Sequence, residues 1–219
     1  MSGALHLLKG RRTPGEMSPR YRIFRRVMIR LCRLLFGYTL HGGERVPAEG
    51  PLVVASNHSQ YADPVLVCVA VPRRVQWMGK KELFVFPLRT FFHFIGTFPV
   101  DREGGGRAAI RAALAFLAEG WALGIFPEGT HRGDESSKHA KSGVVVLASR
   151  GNAPVLPVHV GRLPRPLGRL RGERLHVYVG EPIELDPSPQ GGAAHRAMAE
   201  EIMRSIYALP KQFGKADSP

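Results

Sequence analysis

The sequence predicts an α/β protein with a mostly parallel central sheet flanked by helices, preceded by a basic amphipathic helix. Short apolar segments rich in β-branched residues alternate with helical patterns along the chain, and this alternation is typical of a parallel sheet. The 219 residues are 44% hydrophobic and 22% charged, a globular composition with enough length for one sizeable domain. Several polar clusters directly follow predicted strands, which is where ligand sites of open α/β sheets gather.

The first 40 residues are predicted to form a flexible basic arm over 1–18 and an amphipathic helix over 19–40. They contain nine Lys or Arg residues against a single acid, Glu16. Apolar and basic side chains recur at three- and four-residue steps on opposite sides of the helix, and Gly37 ends the pattern. Such a helix could lie in an anionic membrane interface, or it could pack its apolar side on its own domain with the arginines facing water. The apolar positions are Phe24, Val27, Met28, Leu31, Leu34 and Leu35, and the basic ones are Arg22, Arg26, Arg30 and Arg33.

An α/β domain is predicted over residues 41–210, followed by a disordered tail over 211–219. The phenylalanine-rich stretch 83–95 is expected to belong to the core or to a face that contacts lipid or an acyl chain. Strands are predicted at 52–55, 75–78, 97–100, 123–126, 155–160 and 175–179. Helices are predicted at 65–71, at 80–95 around Pro87, and at 107–118, 143–149 and 195–208.

The formal net charge of +13 implies an anionic partner: a phosphate-bearing ligand, an acidic lipid surface or nucleic acid. The basic residues cluster on one amphipathic helix without interleaved stacking aromatics, so nucleic acid is not expected.

No run of about 18 uninterrupted apolar residues occurs, which disfavours a spanning helix. Cys32 and Cys68 lie in apolar helical patterns and are expected to be buried free thiols in a reducing compartment. We therefore expect a peripheral protein on the cytoplasmic face of the cell membrane.

A histidine and an aspartate, His58 and Asp63, lie five positions apart directly after the predicted strand 52–55. Asp63 and Pro64 suit the N-cap and the first position of a helix. The intervening turn can fold the Asp63 carboxylate onto the His58 ring. A carboxylate that accepts the Nδ1 proton fixes the tautomer and makes Nε2 a better base. A catalytic pair and a purely structural turn are both compatible with this spacing.

Three further polar clusters are expected at the same edge of the sheet, because the carboxyl ends of parallel strands meet there. Arg102 and Arg132 offer forked donors suited to phosphate, and Lys141 adds a point charge. Gly129 would let backbone N–H groups approach an anion without interference from a Cβ atom. The three clusters are 101–102, 128–132 and 141–143.

Four ordered blocks stand out along the chain: Asn57-His58 with Asp63, Gly96-Thr97-Phe98-Pro99-Val100-Asp101-Arg102, Phe126-Pro127-Glu128-Gly129-Thr130, and Val155-Leu156-Pro157-Val158. They resemble the ordered blocks of the glycerolipid acyltransferases, and within that family they are most similar to those of the bacterial 1-acyl-glycerol-3-phosphate (lysophosphatidic acid) acyltransferases. The resemblance covers roughly residues 40–185.

This resemblance implies that His58 is a general base oriented by Asp63. It implies that an acceptor carrying glycerol phosphate is bound by Arg102, Glu128, Gly129 and Thr130. The third block of the family usually continues Thr-Arg-Ser, whereas here Thr130 is followed by His131 and then Arg132. This departure leaves the contribution of Arg132 and the acceptor's head group open.

The implied reaction transfers an acyl group from acyl-CoA or acyl-carrier protein to the hydroxyl of a lysophospholipid. With 1-acyl-glycerol-3-phosphate as acceptor the product is phosphatidic acid, and no metal or cofactor is expected. Another lysolipid or glycerol-3-phosphate is an alternative acceptor. Outside this chemistry, a non-enzymatic module binding acidic lipid or nucleic acid, and a metal-dependent hydrolase with His58, Asp63 and Glu128 as ligands, remain alternatives.

Overall fold

A computed structural model describes residues 17–100, 107–128, 142–165, 168–186 and 191–214. It contains a seven-stranded sheet with the strand order β1-β7-β6-β2-β5-β3-β4. The strands are β1 Thr39–His41, β2 Leu52–Ser56, β3 Val75–Lys80, β4 Thr97–Val100, β5 Ala122–Ile125, β6 Val155–Val160 and β7 His176–Val179. The helices are α1 Pro19–Phe36, α2 Asp63–Ala70, α3 Leu88–Phe94, α4 Arg107–Ala118, α5 Gly143–Gly151 and α6 Gly192–Gln212.

The sheet is mostly parallel, as predicted. Strand β2 pairs in parallel with β5 on one side and β6 on the other, and all five of its residues are buried. Burial on both faces explains why its sequence is apolar throughout rather than alternating. Strands β6 and β7 pair antiparallel, so β7 and its parallel neighbour β1 run against the other five strands.

Two hydrophobic cores lie on opposite faces of the sheet. Leu52 and Val54 point into a core with Leu66 of α2, against which the α1 residues Met28 and Ile29 pack. Val53 and Ala55 point into the other core, which is covered by α4, α5 and α6. This division follows from the two-residue period of a strand, which sends neighbouring side chains to opposite faces.

Helix α1 begins at Pro19 after Ser18, whose hydroxyl accepts a hydrogen bond from the backbone N–H of Tyr21. It ends before Gly37, which adopts a left-handed conformation that glycine tolerates best. Tyr21 and Cys32 are buried against the domain, while the four predicted basic positions are exposed. The helix therefore packs on its own domain, although Val27 and other apolar residues remain at the surface. Within the described parts of the chain, no helix has the length and apolar character needed to cross a bilayer.

The prediction of a mostly helical segment over 80–95 is wrong in its first half. Lys80 still belongs to β3, a single 3₁₀ turn covers Lys81–Leu83, and the α-helix is confined to Leu88–Phe94. Pro87 explains the late start, because proline disfavours helical backbone at the residue before it and is itself well suited to a helix beginning. Strand β1 was not predicted, since it has three residues and depends on its pairing with β7.

Gly96 connects α3 to β4 with φ of +93°, and a Cβ atom there would collide with the carbonyl oxygen of Val75. Gly50 also has positive φ, +81°, but a Cβ atom there would meet nothing within 4 Å. Gly50→Ala should therefore lower the free energy of unfolding only by the strain of a left-handed backbone, about 1–2 kcal/mol. Gly96→Ala should lower it by about 1–3 kcal/mol more, because of the forced contact with Val75.

Urea unfolding of the two variants measures this difference. Equal losses of unfolding free energy in Gly96→Ala and Gly50→Ala would show that the contact with Val75 relaxes without cost.

Candidate functional site

The site begins where β2 ends and the chain turns towards α2. The side chain of Asn57 extends the β2–β6 ladder, because its Nδ2 donates to the Val160 carbonyl at 2.9 Å and its Oδ1 accepts from the Val160 N–H at 2.8 Å. These two hydrogen bonds fix the end of β2 at Ser56. His58, the residue after Asn57, therefore starts the turn at the carboxyl edge of the sheet.

The turn folds Asp63 back onto His58, as the sequence predicted. The distance between His58 Nδ1 and Asp63 Oδ2 is 3.3 Å, and the Asp63 side chain is 0% exposed. The same Oδ2 accepts hydrogen bonds from the backbone N–H groups of Ser59 and Gln60, each at 2.7 Å. With Nδ1 donating to this carboxylate, Nε2 of His58 is the ring nitrogen able to act as a base.

Asp63 does not cap α2, and that prediction is wrong. The N-cap is Ala62, which makes no side-chain hydrogen bond to the helix, and Asp63 is the first helical residue. Its carboxylate points back to the turn and accepts from two backbone N–H groups and the imidazole there, instead of capping the N–H groups of α2. Asp63 therefore stabilises the turn rather than the beginning of the helix.

Two stacked aromatic rings pack against one face of the imidazole. The His58 ring stacks on Phe126 with a centroid distance of 3.9 Å, and Phe126 stacks on Trp77 at 4.9 Å. Trp77 in turn donates its Nε1 hydrogen to the Sγ of Cys68 at 3.3 Å. Burial raises the pKa of the Cys68 thiol, which agrees with its expected place in the core rather than a role as nucleophile.

Glu128 is the third predicted residue that the structure brings to this place. Its Oε2 lies 3.4 Å from the backbone nitrogen of His58, which donates to it, and its Oε1 accepts from the hydroxyl of Tyr207 at 2.5 Å. Tyr207 on α6 was missed, because a single tyrosine near the end of an amphipathic helix belongs to no motif. The other predicted site residues, Arg102, Gly129, Thr130, Arg132 and Lys141, lie outside the described residues.

Gln60 is another contact that the sequence did not reveal. Its amide donates to the carbonyl of Gly161 at 3.2 Å and accepts from the N–H of Leu163 at 2.9 Å. These bonds attach the loop after β6 to the turn that carries His58. Metal ligation by His58, Asp63 and Glu128 finds no support, because nowhere in the described ranges do three or more His, Cys, Asp or Glu side chains group as a metal site would require.

Replacing Asp63 tests whether its carboxylate holds the turn. Asp63→Ala leaves the N–H groups of Ser59 and Gln60 without their acceptor, and we expect a loss of about 1–3 kcal/mol of unfolding free energy in urea. Asp63→Asn keeps one oxygen in the position of Oδ2 and should lose less. Equal stability of Asp63→Ala and the unaltered protein would contradict this role.

Comparison with known proteins identifies the family. Residues 37–161 match the family model described as Acyltransferase, a span that contains His58, Asp63 and Glu128. The 1-acyl-sn-glycerol-3-phosphate acyltransferase of Bacillus subtilis (strain 168) is 29% identical over 184 residues, 83% of this chain and 89% of that protein. The lyso-ornithine lipid O-acyltransferase of Pseudomonas aeruginosa is 28% identical over 217 residues, 89% of this chain and 81% of that one.

The fold is also that of a solved structure. The crystal structure of the 1-acyl-sn-glycerophosphate (LPA) acyltransferase PlsC from Thermotoga maritima superimposes with a TM-score of 0.66 at 20% sequence identity. The superposition covers 90% of this chain and 81% of that one. Because the family model spans more than half of the chain and the fold agrees, this chain belongs to the acyltransferase family and is an acyltransferase.

Proposed function

We propose that this enzyme transfers a fatty acyl group from acyl-CoA or acyl-carrier protein to the free hydroxyl of 1-acyl-glycerol-3-phosphate, giving phosphatidic acid. The observation that supports it most directly is the contact of His58 Nδ1 with the buried Asp63 carboxylate at the carboxyl edge of β2. The acceptor named for the Bacillus subtilis relative is this lysophospholipid.

In the proposed mechanism, Nε2 of His58 removes the proton of the acceptor hydroxyl while the oxygen attacks the thioester carbonyl. The tetrahedral intermediate collapses, the C–S bond breaks, and the imidazolium returns its proton to the departing thiolate. Asp63 stabilises the imidazolium and holds the ring, and a base positioned in this way contributes about 10²- to 10⁴-fold. Every proton is carried by His58, so the chemistry requires neither a metal ion nor a cofactor.

Acceptor binding is proposed to rest on Glu128 together with Arg102, Gly129, Thr130, Arg132 and Lys141. A second candidate function is the same transfer to another lysolipid or to glycerol-3-phosphate. Two observations favour it: His131 stands where the family carries arginine, and the Pseudomonas aeruginosa relative is named for a lyso-ornithine lipid. A comparison of kcat/KM for lysophosphatidate, lyso-ornithine lipid and glycerol-3-phosphate distinguishes these acceptors.

We propose that α1 docks the enzyme on an anionic membrane. One face of the helix is buried on the domain, a second carries the exposed arginines, and a third carries exposed apolar residues, among them Leu34, which is 68% exposed. A surface that places apolar side chains beside cations suits the boundary between lipid head groups and acyl chains. The third face comprises Ile23, Val27, Leu31, Leu34 and Leu35.

A second apolar surface continues this one around α3. Phe84 packs over Gly79 and against Phe92, whereas Phe86 is 91% exposed, with Val85, Leu88 and Phe91 exposed beside it. Phe94 of α3 meets Phe24 of α1 edge-on at 5.1 Å, which joins the two surfaces. Residues 81–87 follow β3 at the same edge of the sheet as His58, so docking here would turn the site towards the lipid. We propose the cytoplasmic face of the cell membrane as its location.

Removal of the proposed base is the primary test of the reaction. With lysophosphatidate and acyl-CoA, thiol release by His58→Ala should fall about 10²- to 10⁴-fold relative to the unaltered enzyme. His195→Ala is a matched control, because it removes an imidazole away from the site. His195 lies on α6, 12 residues and roughly 18 Å along the helix axis from Tyr207, which is the α6 residue that contacts Glu128. Undiminished thiol release by His58→Ala would reject His58 as the base.

Sedimentation with vesicles tests membrane docking. Each arginine near an anionic surface contributes about 1 kcal/mol, so Arg26→Gln/Arg30→Gln should weaken binding to phosphatidylglycerol-containing vesicles roughly 30-fold. Phe86→Asp should weaken it as well, whereas Arg196→Gln/Arg204→Gln on the exposed side of α6 should not. Docking through α1 is wrong if both arginine pairs change binding equally.

A further inference from the structure

The carboxylate of Glu128 connects helix α6 to the backbone of the turn that carries His58. One oxygen faces the N–H of His58 at 3.4 Å and the other accepts from the hydroxyl of Tyr207 at 2.5 Å. Tyr207 belongs to α6 at Gly192–Gln212, which lies beyond the residues that match the family model. The contact therefore comes from a part of the chain that the acyltransferase match does not include.

Tyr207 is itself held in place by the sheet. Its ring meets the ring of His159 at 5.7 Å with a steep interplanar angle of 70°, and His159 is a buried residue of β6. Two turns of α6 nearby are anchored in the core by Ile202 and Ile206. The hydroxyl is thus carried by a ring that packs on β6, and the residue as a whole is 49% exposed.

From this arrangement we infer that Tyr207 is a positioning residue for the acceptor, acting through Glu128. The inference rests on the proposed function, in which Glu128 binds the acceptor. A carboxylate has about four lone-pair positions, so Glu128 can hold these two donors and still accept the single free hydroxyl of the acceptor as it binds, before that O–H turns to Nε2 of His58. By fixing the rotation of the carboxylate, Tyr207 sets the direction in which the remaining lone pairs point.

The acyl thioester offers no hydroxyl donor at its reacting carbonyl, so it does not need this carboxylate. Loss of the tyrosine hydroxyl should consequently affect the acceptor and leave the donor unchanged. A role confined to anchoring α6 would behave differently, because a loosened helix would lower the melting temperature and affect both substrates together.

The experiment compares Tyr207→Phe with the unaltered enzyme in steady-state kinetics and thermal unfolding. Tyr207→Phe keeps the ring on His159 and removes only the hydroxyl. We expect KM for lysophosphatidate to rise roughly 3- to 30-fold, the range for losing one partly exposed hydrogen bond to a charged group. KM for acyl-CoA should not change, and the melting temperature should fall by only about 2–4 °C, the cost of one exposed hydrogen bond of about 1 kcal/mol. Tyr38→Phe is the matched control, since Tyr38 is buried in the core beside α1, on the opposite face of the sheet from the core that α6 covers.

A double-mutant cycle with Glu128→Ala decides whether Tyr207 acts through the carboxylate. Dissociation constants for lysophosphatidate are measured by calorimetry without thioester, and Tyr207→Phe should change them only when Glu128 is present. An equal effect of Tyr207→Phe in the Glu128→Ala background, or an unchanged acceptor KM in Tyr207→Phe, would overturn the assignment while leaving the acyl transfer intact. Absence of turnover by the unaltered enzyme with every lysolipid would overturn the proposed function itself.

Discussion

The buried carboxylate of Asp63 holds the turn on which the site is built. Its Oδ2 gathers two backbone N–H groups and the imidazole of His58, which fixes the shape of the turn and the direction of the ring together. Because the same oxygen serves both purposes, local folding and the orientation of the histidine cannot vary independently. The chemistry proposed for His58 depends on this shared acceptor.

The neighbouring strands supply the second restraint on the imidazole. Strand β5 lies between β2 and β3, with Trp77 in register with Gly124, and this order places Trp77 and Phe126 in one stack with His58. A Cβ atom at Gly124 would lie 2.6 Å from the indole ring, so the glycine leaves room for the stack. The ring that lies against His58 is therefore positioned by packing in the middle of the sheet.

The N-terminal helix packs on its own domain, and part of its surface stays exposed for the membrane docking that we propose. Burial of Tyr21 and Cys32 attaches it to the domain, and its exposed arginines and apolar residues form two further faces. A helix of this kind has three faces rather than two, because its apolar residues extend over more of the circumference than one packing surface can cover. The uncovered part of the helix is the surface that we propose to dock on anionic lipid.

The sequence by itself determined the elements whose signals are local. Strands at Thr97–Val100 and Val155–Val160 and the helix at Arg107–Ala118 agree with the predicted bounds, and the spacing from His58 to Asp63 was enough to predict their contact. Only the tertiary structure decided the reversed direction of β7, the pairing of β1 and the contact between Tyr207 and Glu128. Each of these joins residues distant in the chain, and no local pattern of polarity or propensity encodes which distant partners a strand or side chain will meet.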